Sequence, residues 1–216
     1  MNNSIIKNCT LIASAALFGL LASPRLNADT FYTVTIATAP VSGTTGYLAF
    51  DLIGGIPFQD NTAKVTDFST DATLGSASTS GDVTGSLTPG PLTLIADQFF
   101  NEWLQPVTFG TFTTFVLDVT TAYATGSTPD SFAFFLLDPT QIPLPTSDPS
   151  GAGSVFAIEL TGAAPQVFTS TNPTPQFSAT VTPFTATPES TPGPAVGLGL
   201  ALVLAFRLLP KTSRNM

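Results

Sequence analysis

The sequence predicts an all-β fold: a single β-sandwich or jelly-roll-like domain, flanked by an N-terminal signal helix and a C-terminal hydrophobic helix. Three observations predict it. Apolar residues alternate with period two in short runs, β-branched and aromatic residues fill those runs, and Gly, Pro, Asp and Ser cluster between them.

The elements follow in chain order. Met1 to Asn8 is polar and carries Lys7, and Cys9 to Ala22 (CTLIASAALFGLLA) is apolar and helix-compatible. A small residue, Ala28, then precedes Asp29, which is the layout of a signal peptide over residues 1–28 with cleavage between Ala28 and Asp29. Cleavage after Ala22 is the second choice. A lipoprotein signal is excluded by position, because its cysteine follows the apolar run whereas Cys9 begins it.

Residues 29–184 form the acidic body. Tyr32, Val34 and Ile36 alternate with Thr33 and Thr35; Leu48, Phe50 and Leu52 with Ala49 and Asp51; Phe115, Leu117 and Val119 with Val116 and Asp118; Phe156, Ile158 and Leu160 with Ala157 and Glu159. Each such strand has one dry face and one wet face. Ser131 to Leu137 (SFAFFLL) is apolar on both faces, which places it at the centre of a sheet. Val65 to Phe68, Val83 to Leu87, Leu92 to Ile95 and Phe177 to Val181 are shorter strand candidates. Turns are marked by Val41-Ser42-Gly43, Gly54-Gly55, Pro89-Gly90-Pro91 and Ser147-Asp148-Pro149-Ser150-Gly151. One segment departs from the pattern. In Asp97 to Leu104 (DQFFNEWL), Phe99, Phe100, Trp103 and Leu104 recur at helical spacing between a capping Asp97 and Pro106, predicting one or two helical turns that plug an open end of the sandwich. Phe99, Phe100 and Trp103 are also the candidate aromatic platform for a sugar ring.

Residues 185–194 read as a Pro/Thr-rich stalk, and 195–216 as a hydrophobic helix with a basic tail. Ala195 to Phe206 is twelve uncharged residues, and extending past Arg207 to Leu209 gives fifteen, so a helix there is about 18 to 23 Å long. That is shorter than the ~30 Å hydrocarbon core, so the tail spans only with bilayer thinning or with Arg207 snorkelling toward Lys211 and Arg214. Those three charges fit a C-in orientation behind an exported body.

Charge and composition then exclude whole classes of function. The chain carries a net charge of -8, and five of its six basic residues lie in the terminal segments. From Asp29 to Thr187, thirteen acidic residues face one lysine, Lys64, for a net charge of -12. Such a body repels nucleic acid and anionic headgroups. The chain has no histidine, and its only cysteine, Cys9, lies in the signal segment. Ser-His-Asp and Cys-His catalysis and His- or Cys-ligated metal are therefore absent from the body. No GxGxxG, P-loop, GxSxG or CxxC occurs either.

Carboxylates are the titrating groups that remain. A glycosidase needs a facing carboxyl pair, and nothing in the spacing of Glu102, Glu159 and the aspartates implies one, so both glutamates read first as solvated surface. A structural Ca2+ is the candidate cofactor, with Asp67 and Asp71 flanking one turn and Asp138 and Asp148 flanking another. Asx-turn capping explains all four residues without metal.

The C-terminus, TPESTPGPAVGLGLALVLAFRLLPKTSRNM, resembles the PEP-CTERM sorting signal: a Pro-Glu motif, an apolar helix and a short basic end. That signal is recognised by exosortase in Gram-negative bacteria that make extracellular polysaccharide. The usual motif is Pro-Glu-Pro-Ser-Thr, whereas Pro188-Glu189-Ser190-Thr191 lacks the third proline. The body is similar to a PEP-CTERM subgroup of unassigned function through GTTGYLAFDL, VTDFSTDATLG, GDVTGSLTPGPLTL, FNEWLQPVTFG and SFAFFLLDPT. The resemblance implies a place at the cell surface or in the exopolysaccharide matrix and brings no catalytic residue. Its implied partners are the export machinery, signal peptidase, an exosortase-type protease and exopolysaccharide, with the tail either cleaved or kept as an anchor. The expected function is a non-enzymatic structural or binding module; a carboxylate-based carbohydrate-active enzyme and a calcium-stabilised adhesion module are the alternatives.

Overall fold

The computed structural model describes residues 29–162, 164–170 and 177–185. The signal segment to Ala28, the motif Pro188 to Thr191, the apolar stretch expected to be a helix and the basic residues Arg207, Lys211 and Arg214 lie outside the described residues. Among the described residues no helix is long and apolar enough to cross a membrane.

Alternation gives the long runs of the body a more buried and a wetter face of side chains. The strands are β1 (Thr30–Ala37), β2 (Thr45–Ile53), β3 (Thr62–Thr70), β4 (Thr73–Leu74), β5 (Ser78–Ser80), β6 (Val83–Gly85), β7 (Leu92–Ile95), β8 (Phe100–Thr108), β9 (Phe112–Val119), β10 (Asp130–Leu137), β11 (Phe156–Leu160), β12 (Gln166–Thr169) and β13 (Ser178–Phe184). All pairings are antiparallel. One sheet runs β13-β1-β9-β3-β7-β6, and the other β12-β11-β10-β2-β8-β4 with β5 also on β8. The domain is all-β, built of two antiparallel sheets.

The two sheets share one core. Val34, Ile36, Val65, Leu92 and Leu117 from the six-stranded sheet are buried in the same cluster as Leu48, Leu52, Phe132, Leu136 and Ile158 from the seven-stranded one. Phe115 of β9 is the wedge between them: its ring lies 5.4 Å from Phe50 and 5.7 Å from Phe134, which in turn stacks on Phe156 at 5.7 Å. Such offset and edge contacts add to the area that the rings bury. SFAFFLL forms β10, flanked by β11 and β2, so the strand that is apolar on both faces is an interior one.

Buried polar side chains clip the loops onto this core. Asp130 is fully buried and accepts from the backbone N–H of Gly55 at 2.6 Å and from Asn61 Nδ2 at 2.8 Å. Asn61 also donates to the carbonyl of Ala122 and accepts from its N–H, tying the 54–61 loop to the segment after β9. Asn101 donates to the carbonyls of Leu52 and Gln98 and accepts from Asp82 N–H, which pins the turn before β6.

The helical turn predicted over Asp97 to Leu104 is not formed; the segment enters β8, which pairs with β2 along its whole length. Asn101, Trp103, Gln105 and Val107 point inward, and Phe100, Glu102 and Leu104 outward. Two inward positions are polar, so a hydrophobicity pattern hides the period of two and leaves Phe100, Trp103 and Leu104 to mimic a helix. Pro106 does not end the element, because its missing N–H falls in the gap between the β5 register, which stops at Leu104, and the β4 register, which starts at Val107.

Candidate functional site

Register decides what the outer face of the seven-stranded sheet displays. Glu102, Asp51, Ala133, Ala157 and Phe168 stand in one line across β8, β2, β10, β11 and β12. The neighbouring line is Phe100, Ile53, Ser131, Glu159 and Gln166. A third line, Leu104, Ala49 and Phe135, belongs to a second apolar cluster with Leu137 and Tyr47.

Because Ser131, Ala133 and Ala157 are small, the sheet is recessed between larger neighbours. The result is a groove of about 570 Å3, floored by those three residues and walled by Ile53, Phe135, Phe168 and the 148–154 loop, with Asp51 and Glu159 on its surface. The loop wall is fixed by Asp148, whose Oδ1 accepts from Ser150 N–H and Oγ at 2.8 and 2.7 Å and whose Oδ2 accepts from Ser154 N–H and Oγ at 2.9 and 2.7 Å. Burial alone would push the Asp148 carboxyl up, but these hydrogen bonds outweigh it and bring it down to about 2.

Asp51 behaves in the opposite way. Its Oδ1 is buried with no hydrogen-bond partner, and burial first, then the Glu102 carboxylate across the strand pair, push it up to about 7. Burial raises Glu102 as well. The one lysine of the body, Lys64, is on the other sheet, in register with Asp118. Among the described residues the groove therefore presents carboxyl groups and apolar walls, and no ammonium or guanidinium. Hydroxyl groups can pair with such carboxyls, and the flat faces of rings can lie on Phe168 and Phe135.

Phe99 and Phe100 are 63 and 38% exposed, whereas Trp103 is 9% exposed and turns into the core, so the three do not share a face. Asp67 lies at the β3 bulge with φ of 51°, apart from Asp71, which accepts from Thr111 N–H and Oγ1 and from Phe112 N–H. Asp138 accepts from Thr140 N–H and Oγ1 and from Ile142 N–H. Both carboxyls are held below the usual range, Asp71 chiefly by the Thr111 hydroxyl and Asp138 chiefly by the Ile142 N–H. Asp148 is in the groove wall, and among the described residues no three carboxyl groups gather to hold a metal ion. Asp29 opens the described body, and Glu159, read from its alternation as surface, lines the groove. Asp51 was not singled out by the sequence. Its outward position alternates visibly, but only the register brings it opposite Glu102 and two strands from Glu159.

The chain matches no family model, no curated protein and no solved structure.

Proposed function

We propose that the chain is an exported envelope or matrix protein, non-enzymatic, whose groove holds an extended, hydroxyl-rich polysaccharide chain. The observation that carries the reading is the groove itself: a small-residue floor, two aromatic walls and carboxyl groups without a cation. Two antiparallel sheets with one shared core support reading the body as a jelly-roll-like sandwich. The signal segment ahead of Asp29 and the Pro188-Glu189-Ser190-Thr191 tail support export, sorting by an exosortase-type protease and placement at the outer surface or in the exopolysaccharide matrix. Arg207, Lys211 and Arg214 would hold the precursor in the membrane by its short apolar helix before or instead of cleavage.

A pull-down against polysaccharides extracted from the host tests this. Retention without release of reducing ends is the expected result. Released reducing ends would overturn the non-enzymatic reading and favour a carboxylate enzyme, since the raised Asp51 carboxyl beside Glu102 is what a general acid requires. Intact mass spectrometry of envelope and medium tests the addresses: the expected mature form starts near Asp29 and lacks Ala195 to Met216. Full-length chain soluble in the cytoplasm would refute both.

A further inference from the structure

The groove carries a specificity device that its shape alone does not require. Asp51 stands directly opposite Glu102 in the β2–β8 register, and opposite Ala133 on its other side. Its Oδ1 is buried and has no partner. The charged groups facing it are all acidic: Glu102 from β8, Glu159 from β11 and Asp148 from the loop wall. Lys64, the one cation of the described chain, is on the opposite sheet. With no cation on any facing element, two adjacent half-buried carboxyls cannot both ionise without a large repulsion and desolvation cost.

We propose that Asp51 is the neutral member of this carboxyl pair and serves the groove as a hydrogen-bond donor, which makes the site selective for an uncharged, hydroxyl-rich chain and weakens it as pH rises. The inference rests on the groove reading above and names its ligand class. With Oδ1 buried, a protonated Asp51 offers the groove an O–H donor through Oδ2, while Glu159 offers acceptors. That combination suits vicinal hydroxyls, each both donor and acceptor. It excludes uronate and sulfated chains by charge. A cationic chain would instead favour the ionised pair, so its binding would strengthen with pH. The sign of the pH dependence thus separates the two ligand chemistries.

Two measurements on the full chain, in a detergent without a sugar headgroup, test the proposal. In the first, the Asp51 side-chain carboxyl is followed by 13C NMR from about pH 3 to pH 9. We expect its midpoint near neutrality, moving to lower pH in Glu102→Gln, which removes the opposing charge. A midpoint in the ordinary carboxylate range overturns the proposal whatever the protein binds. In the second, binding of neutral hexasaccharides (β-1,4-glucan, xylan and mannan series) is compared with that of an N,N,N-trimethylated chitosan hexamer, whose quaternary ammonium charges do not titrate. The neutral chains should weaken about tenfold between roughly pH 5 and 8.5, as a donor is replaced by a charge. Asp51→Asn, which is isosteric and keeps a donor, should bind them without that slope. An unchanged slope in Asp51→Asn, or tighter binding of the chitosan hexamer alone as pH rises, overturns the assignment of a neutral donor. If Asp51 titrates near neutrality and none of the neutral chains binds, the carboxyl pair stands and the polysaccharide reading of the groove falls.

Discussion

At the scale of single residues, one carboxyl chemistry is put to three different uses. Asp130 is fully buried but satisfied by Gly55 and Asn61, so it acts as a clip. Asp130→Ala leaves Gly55 N–H and one of the two Asn61 Nδ2 hydrogens without a partner, and we expect a loss of about 3 kcal/mol in a urea titration; a loss below ~1 kcal/mol would mean that the loop rearranges to satisfy them. Asp51 is the reverse case. Its folded value is about 7 against 3.8 when unperturbed, so the native state holds a proton that the unfolded chain has released over that interval. Stability contributed by this group is complete below about pH 4 and declines as pH rises toward 7 and beyond. Asp51→Asn should therefore melt above the parent at pH 8, by roughly 2 kcal/mol of stability, with the difference vanishing near pH 4. Equal melting at both pH values would remove the cost assigned to that carboxylate. Asp71 departs from the Asx reading, accepting from Thr111 and Phe112, 40 and 41 positions along the chain, whereas that reading of Asp138 and Asp148 was legible because their partners are two to six residues away. The role of Asp51 was not, because its partner lies 51 positions away along the chain and meets it only through strand register.

Among elements, legibility followed the purity of the pattern. β1, β2, β9, β10 and β11 alternate apolar and polar residues, or are apolar throughout, and their existence could be read directly. β8 has helix-like spacing in the sequence because Asn101 and Gln105 occupy inward positions, where they donate to the loop carbonyls of Gln98 and Gly75 instead of packing. β12 (QVFT) is short and exposed at every position, and carries almost no periodic signal, yet it supplies Phe168 to the groove. The 148–154 loop is the one wall not built on a strand, and Asp148 carries it. Asp148→Ala removes four hydrogen bonds to two residues. We expect a global loss of only about 1–2 kcal/mol, because the loop is partly solvated, together with faster amide exchange confined to residues 150–154. Exchange that accelerates equally in β10 and β11 would show that the loop is integral to the sheet and not a separate wall.

Across the whole molecule, the chain passes from one sheet to the other eight times between β1 and β13. Pairings between distant segments of this kind leave no local trace, which is why strands were legible and their order was not. What holds the two sheets together is apolar, with Phe115 between Phe50 and Phe134, and what opposes them is charge. Thirteen acidic residues against Lys64 leave the body at -12, and that self-repulsion weakens any compact state. Screening should relieve it, so raising NaCl from about 10 mM to 0.2 M should lift the melting temperature by a few degrees. Calcium acts by the same route unless it finds a site. Asp71, Asp138 and Asp148 already accept from backbone N–H and hydroxyl groups through both or one of their oxygens, and a cation would have to displace those donors. Among the described residues Asp67, on its bulge, belongs to no group of three carboxyls that could hold a metal ion. We therefore expect CaCl2 and NaCl at matched ionic strength to give the same rise, in the parent and in Asp148→Ala alike. A larger rise in calcium, lost in Asp138→Ala or Asp148→Ala, would establish the calcium-stabilised alternative and assign its ligands; a larger rise lost only in Glu102→Gln or Asp51→Asn would place the ion in the groove.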